Sequence, residues 1–149
     1  MHRCLIVGNQ TLGGPRLAEA VQERLPVEGA EFYVVVPATP ISDQEIGPGP
    51  GSDAGPYLQE RAYALARQRL DGAFDRLRAL GATVDGEVGD AAPLEAARLA
   101  HRRFGADEVI VCTLPLGVSR WLRGNLPKKV ERSLGVPVVH LVEEPGEVT

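Results

Sequence analysis

The chain has 149 residues, 44% of them hydrophobic, which suffices for one full core and predicts a single domain over 1–149. Its 16 basic and 20 acidic residues leave a formal charge of -4, which argues against broad electrostatic binding to nucleic acid or to an anionic membrane and confines any cationic function to a local patch. Met1 is followed by no charged and then apolar leader and the chain has no span-length apolar run, so a cytoplasmic protein without a membrane partner is expected.

Cys4 to Val7 is a short continuous apolar run, as expected of a strand buried on both faces of a parallel sheet. After the turn Thr11-Leu12-Gly13-Gly14, Pro15 suits the first position of a helix whose Leu17, Val21 and Leu25 share one face, and Pro26 ends it. Glu31 to Val36, rich in aromatic and β-branched residues, predicts a second, central strand. Prolines and glycines punctuate residues 38–56, most densely in Gly47-Pro48-Gly49-Pro50-Gly51, and predict a long flexible loop. A helical pattern from Tyr57 to Leu80 places Ala66, Leu70, Phe74 and Leu77 on one face and Arg67, Arg69, Asp71, Arg76 and Arg78 largely on others.

Thr83 to Val88 alternates Val84 and Val88 with Asp85 and Glu87, the pattern of a half-exposed edge strand. Asp90 is placed to cap a helix running from Ala91 to Phe104. Glu108 to Cys112 predicts a fourth, central strand. Leu126, Val130 and Leu134 mark the buried face of a last helix, with Asn125 at its cap and Gly135 at its end. Val136 to Val142 is the fifth strand. This alternation predicts a parallel sheet with helices on both faces, a doubly wound α/β sandwich of three layers.

In such a sheet the ligand crevice lies outside the C-terminal ends of the strands, where the strand order reverses. That points to Gly8-Asn9-Gln10-Thr11, to Pro37-Ala38-Thr39 and to Thr113 through Asn125. The first loop is neither a Walker A loop, because Gly14-Pro15 stands where Lys and Ser or Thr are needed, nor a G-x-G-x-x-G fingerprint. No G-x-S-x-G elbow and no H-E-x-x-H occurs. Of the three histidines, His2 is terminal, His101 lies among Arg102 and Arg103 on a solvated helix face, and His140 is expected away from the crevice. Cys4 and Cys112 show no metal-ligand spacing and read as buried reduced thiols. The proposed sheet separates them by roughly 10 Å at about 3.3 Å per residue, too far for a disulfide. No catalytic residue and no metal ligand is expected.

The order of elements, the segment Gly89-Asp90-Ala91-Ala92-Pro93 with Ala97 and Phe104-Gly105-Ala106-Asp107-Glu108-Val109-Ile110-Val111, and the tail Arg132-Ser133-Leu134-Gly135-Val136-Pro137-Val138-Val139 together resemble the universal stress proteins along nearly the whole chain. The resemblance implies a five-stranded sheet of order 3-2-1-4-5 in the adenine nucleotide alpha hydrolase-like class, dimers, and in one subgroup ATP held by a G-x2-G-x9-G-[ST] loop after the fourth strand. Thr113 stands at the first glycine of that loop, Leu116 or Gly117 at the second, and Gly124-Asn125 at the final pair, with the loop two residues shorter. The Cβ of Thr113 and the ring of Pro115 restrict it, and Pro115 removes a donor. Asn9 stands where the family has an acidic residue, so it brings no charge for a metal. Val36 matches the position whose backbone meets adenine.

A local excess of cations, Arg120, Arg123, Lys128, Lys129 and Arg132 against Glu131, surrounds Trp121. Ser119, Arg120 and Arg123 could replace lost backbone donors, since guanidinium groups bind phosphate bidentately. The expected nucleotide-binding set is therefore Asn9, Gln10, Val36, Thr113, Gly117, Ser119, Arg120, Arg123, Gly124 and Asn125. The function expected is a regulatory or stress-response module that binds a nucleotide or other phosphorylated small molecule without turnover, with AMP or ATP as the ligands the resemblance admits. The alternatives are a member that engages an acidic protein partner through its basic helix, and a nucleotide-dependent hydrolase. An apolar edge, Val136, Val138, Val139, Leu141 and Val142, predicts a homodimer through the last strand.

Overall fold

The computed structural model describes residues 2–39, 58–115, 119, 121 and 124–143. Five strands, β1 (Arg3–Val7), β2 (Glu31–Pro37), β3 (Val84–Gly89), β4 (Glu108–Thr113) and β5 (Val138–Val142), alternate with helices α1 (Pro15–Arg24), α2 (Leu58–Ala79), α3 (Pro93–Phe104) and α4 (Leu126–Leu134). All strand pairs are parallel and the sheet order is β3-β2-β1-β4-β5, the order that the resemblance implied.

Strand alternation divides the core in two. Cys4, Ile6, Val34, Val36, Ile110 and Cys112 face α1 and α2, where they meet Leu17, Val21, Leu70 and Phe74. Leu5, Val7, Val35, Val109 and Val111 face α3 and α4, where they meet Ala96, Ala97, Ala100, Leu126 and Val130. Successive residues thus point into opposite layers, so β1, β2 and β4 must be apolar throughout. The buried residues of α3 are Ala96, Ala97 and Ala100, the smallest side chains that can cover the sheet there.

Four local expectations are corrected. Helix α3 begins at Pro93 with Ala92 as its cap, and Asp90 instead accepts the Ala92 N–H at 2.9 Å in a turn ahead of it. Asn125 occupies the cap of α4 in the left-handed region (φ 57°) but makes no side-chain cap bond. His101 is half-buried, and its Nδ1 accepts the Ala106 N–H at 3.1 Å beyond the end of α3. Finally, β5 starts at Val138, two residues later than the apolar run suggested.

The two ends of the sheet are fastened differently. At the N-terminal end, Glu108 accepts from Arg24, by Nε to Oε1 and by Nη2 to Oε2 at 3.2 Å, and pairs with His2 at 2.7 Å. The Arg24 guanidinium holds the Glu108 carboxyl below the usual carboxylate range. At the C-terminal end, Glu143 lies just past β5 and is 2% exposed. Its carboxylate accepts the backbone N–H of Leu17 at 2.9 Å and of Arg16 at 3.3 Å, and its own N–H donates to Thr113 O at 2.8 Å. A Cβ on Gly14 would overlap that carboxyl group, so glycine is required there for the carboxylate to reach the helix end. The first turn of α1, which contains no acidic residue, thereby receives its negative charge from the far end of the chain.

Candidate functional site

The order β3-β2-β1-β4-β5 reverses direction between β1 and β4, so the crevice expected of this architecture opens where the connections after those strands diverge. Three connections meet there. Gly8 N–H bonds Val35 O at 3.4 Å, Thr11 Oγ1 donates to Cys112 O at 3.1 Å, and Ala38 N–H bonds Gly89 O at 3.0 Å. Thr39 Oγ1 donates to Ala91 O at 2.5 Å. The loop after β1 is thus tied to β2 and β4, and the loop after β2 to the end of β3 and the residues that follow it.

Asn9 is 2% exposed and both ends of its amide are engaged. Its Nδ2 donates to Pro37 O at 3.1 Å, and its Oδ1 accepts from Arg69. An ionised aspartate could accept from Arg69 but could not donate to Pro37 O, so this pair of neighbours fits an amide and not a carboxylate.

Arg69 was expected off the apolar face of α2. It is half-buried, and burial lowers its pKa from the ordinary guanidinium value. Two features of the sequence carry a signal for this placement. Helix side chains lean toward the helix N-terminus, which for α2, running antiparallel to the strands, means toward the crevice. The residues three before, three after and four after Arg69 are Ala66, Gly72 and Ala73, which leave room for a long side chain to lie down.

At β4 the structure brings together groups that the sequence left apart. Thr113 is fully buried, and its Oγ1 shares a hydrogen bond of 2.7 Å with Nε2 of His140. His140 lies in the middle of β5, opposite Val111, within a strand as expected, but its ring reaches across to the last residue of β4. Partial burial lowers its pKa, favouring the neutral imidazole. Ser119 is fully buried, and its N–H donates to Pro115 O at 3.0 Å. Val36 is a core residue at the end of β2, and Gln10 is half-buried after β1. Gly124 and Asn125 are exposed where α4 begins. Gly117, Arg120 and Arg123, with Leu116 and most of the 38–56 loop, lie outside the described residues. Among the described residues no group of three or more His, Cys, Asp or Glu side chains is placed to hold a metal ion, and no helix is long and apolar enough to cross a membrane.

A shallow groove of about 430 Å³ lies at the opposite end of the sheet, beside β3 and the end of α3, lined by Arg3, Glu31, Tyr33, Asp85, Arg103 and Phe104. Of its charged residues, Arg3 pairs with Glu31 at 3.6 Å and Arg103 with Glu87, outside the groove, at 2.6 Å. Phe104 is stacked on Tyr33 with ring centroids 5.1 Å apart. Two of the cations that line it are therefore already paired.

The described geometry defines a doubly wound α/β protein with a single switch point. Comparison with solved structures makes that more particular: the chain has the fold of the universal stress proteins. It is similar to a universal stress protein in complex with cAMP, at 20% identity over 94% of this chain and 96% of that one, with a TM-score of 0.63. A protein of the universal stress protein family from Burkholderia pseudomallei matches at 17% identity, over 93% and 94% of the two chains, with a TM-score of 0.60. The universal stress protein from Archaeoglobus fulgidus in complex with dAMP matches at 14% identity, over 94% and 97%, with a TM-score of 0.60. No protein-family model matches the sequence, and no curated protein matches it in sequence.

Proposed function

We propose that this chain is a universal stress protein-like regulatory module that binds a nucleoside monophosphate, a cyclic nucleotide or another small phosphorylated molecule at the crevice, without turning it over. The observation that carries this reading is the start of α4. Its N-terminus carries the positive end of the helix dipole, and it begins on exposed Gly124 and Asn125 with no side-chain cap. The cAMP and dAMP complexes of proteins of the same fold support it. Asn9 and Arg69 weigh against a metal-bridged triphosphate, because the position that is acidic in the family is here a neutral amide facing a guanidinium. Calorimetric titration with AMP, cAMP and ATP, each with and without magnesium, is expected to give dissociation constants below about 1 mM for at least one monophosphate, with no need for the metal. Flat heats for all three would overturn the reading.

A second reading draws on one further observation: Lys128, Lys129 and Arg132 are all exposed on α4. In it the chain engages an acidic protein partner through that helix. Capture of such a partner that weakens with salt and is lost on reversing those three charges would favour it. Under either reading we expect a homodimer through β5. In the single chain Val138, Val139, Leu141 and Val142 are only half-buried, an apolar edge that a second copy would cover. Light scattering at micromolar concentration is expected to give twice the monomer mass, and a monomer mass would refute the pairing.

A further inference from the structure

Strand β3 ends the sheet on the side opposite β5, so half of its backbone groups face away from β2. Which half follows from the two bonds that bracket the pairing. Thr83 O accepts the Phe32 N–H at 2.9 Å and Gly89 O accepts the Ala38 N–H at 3.0 Å, and the register between them is unbroken. Successive residues of a strand turn their backbone groups to opposite sides. Thr83, Asp85, Glu87 and Gly89 therefore hold β2, while Val84, Gly86 and Val88 present their N–H and C=O groups outward.

An outward row of this kind is a template for another strand. Its middle is taken up from within the chain. Arg78 Nη2 donates to Val84 O at 3.2 Å, and the Gly86 N–H donates to Oδ1 of Asp85 at 2.8 Å. In a parallel ladder these are the two groups that would hold one residue of an added strand, which donates to the first and accepts from the second. In an antiparallel ladder they belong to successive hydrogen-bonded pairs, and each pair loses one of its two bonds. The Arg78 side chain is braced for this reach, with its Cζ 4.7 Å from the centroid of the buried Phe74 ring. Arg78 and Asp85 are themselves exposed, so a strand laid along β3 would also have to strip water from a guanidinium and a carboxylate. At the other end of the sheet, β5 carries no acidic, lysine or arginine side chain.

We propose that Arg78 and Asp85 close the β3 edge against a strand from a second copy of the chain, so that any extension of the sheet is left to β5. Pairing through β5 then stops at two copies. With β3 open as well, each dimer would present two further edges, and association would continue without closing. This goes beyond the functional reading above and holds whichever ligand the crevice takes.

The test sets wild type beside the double variant Arg78→Ala/Asp85→Ala and the single variant Asp85→Asn, whose amide oxygen still accepts the Gly86 N–H. In sedimentation from micromolar to millimolar concentration, the double variant is expected to form species larger than any in wild type, while Asp85→Asn keeps the wild-type distribution. Hydrogen exchange locates the new contact. In the double variant the outward amides of Val84, Gly86 and Val88 are expected to slow by about 10-fold over that range, the factor that one net hydrogen bond supplies. In wild type the same amides are expected to exchange at rates independent of concentration, a readout that needs no variant to fold. Wild-type amides of β3 that slow as concentration rises would overturn the closure of this edge. So would a folded double variant that assembles as wild type does, or one that grows while its β3 amides stay unchanged, since its contact would then lie elsewhere. Growth of Asp85→Asn equal to that of the double variant would overturn the part assigned to the Gly86 bond.

Discussion

Glu143→Ala is expected to lower the unfolding free energy by about 3 kcal/mol, read as a fall in denaturation midpoint at unchanged slope. The residue is almost wholly buried, and its carboxylate accepts two backbone N–H groups at the start of α1. Truncation removes two charge-assisted bonds and exposes two donors to a space that Gly14 keeps open. Bonds to charged groups contribute about 1.5–3 kcal/mol, and an unmet buried donor costs about 1–3 kcal/mol. Water entering the vacated space offsets part of this sum, which is why the expectation stays near the value for a strong cap plus one lost bond. Glu143→Gln, which keeps an acceptor and gives up the charge, should lose roughly half as much. A loss below about 0.5 kcal/mol for the alanine variant would mean that the end of α1 is satisfied by water alone.

Gly86→Ala is expected to cost about 3 kcal/mol or more, measured the same way. Gly86 pairs with Val34 across β2 and β3. A Cβ built on it would overlap Val34 O, and it would stand 3.1 Å from Cδ1 of Leu70. A flexible side chain could yield to a new methyl group, but a strand carbonyl bound into the sheet can yield only by moving the strand. Overpacking of this kind costs about 1–3 kcal/mol where side chains give way, and more where backbone must shift. An alanine variant as stable as wild type would place β3 farther from β2 than the register requires.

Much of the fold was legible because the residues that build it announce themselves locally. The apolar runs at Cys4, Phe32 and Glu108 are strands since both of their faces are covered, and Pro15 and Pro26 bracket α1 on steric grounds. The crevice was harder. Thr113 and His140 are 27 positions apart, and only the pairing of β4 with β5 brings them to 2.7 Å. Arg69 lies off the apolar stripe of α2, so its periodicity reads as solvated, and the small neighbours that let it fold inward carry no weight in a hydrophobic pattern. Glu143 stands past the last strand, where no local rule links it to a helix that begins 128 positions earlier. Asn9 was singled out for its place after β1, but what the amide does there depends on a carbonyl from β2 and a guanidinium from α2. Local rules place the elements; the polar contacts between elements follow from the assembled sheet.

The two cysteines bear on how such a protein could respond to its surroundings. Cys4 and Cys112 are both inaccessible to solvent and face the same apolar layer, four residues apart along adjacent strands in the observed register. Burial pushes the Cys4 thiol well above the ordinary range, and it is the thiolate that attacks peroxide or another disulfide. While the sheet is closed, an oxidant in the surroundings therefore reaches neither cysteine. Cysteine oxidation must wait for the sheet itself to open, so a modified cysteine would mark molecules that have already lost their structure.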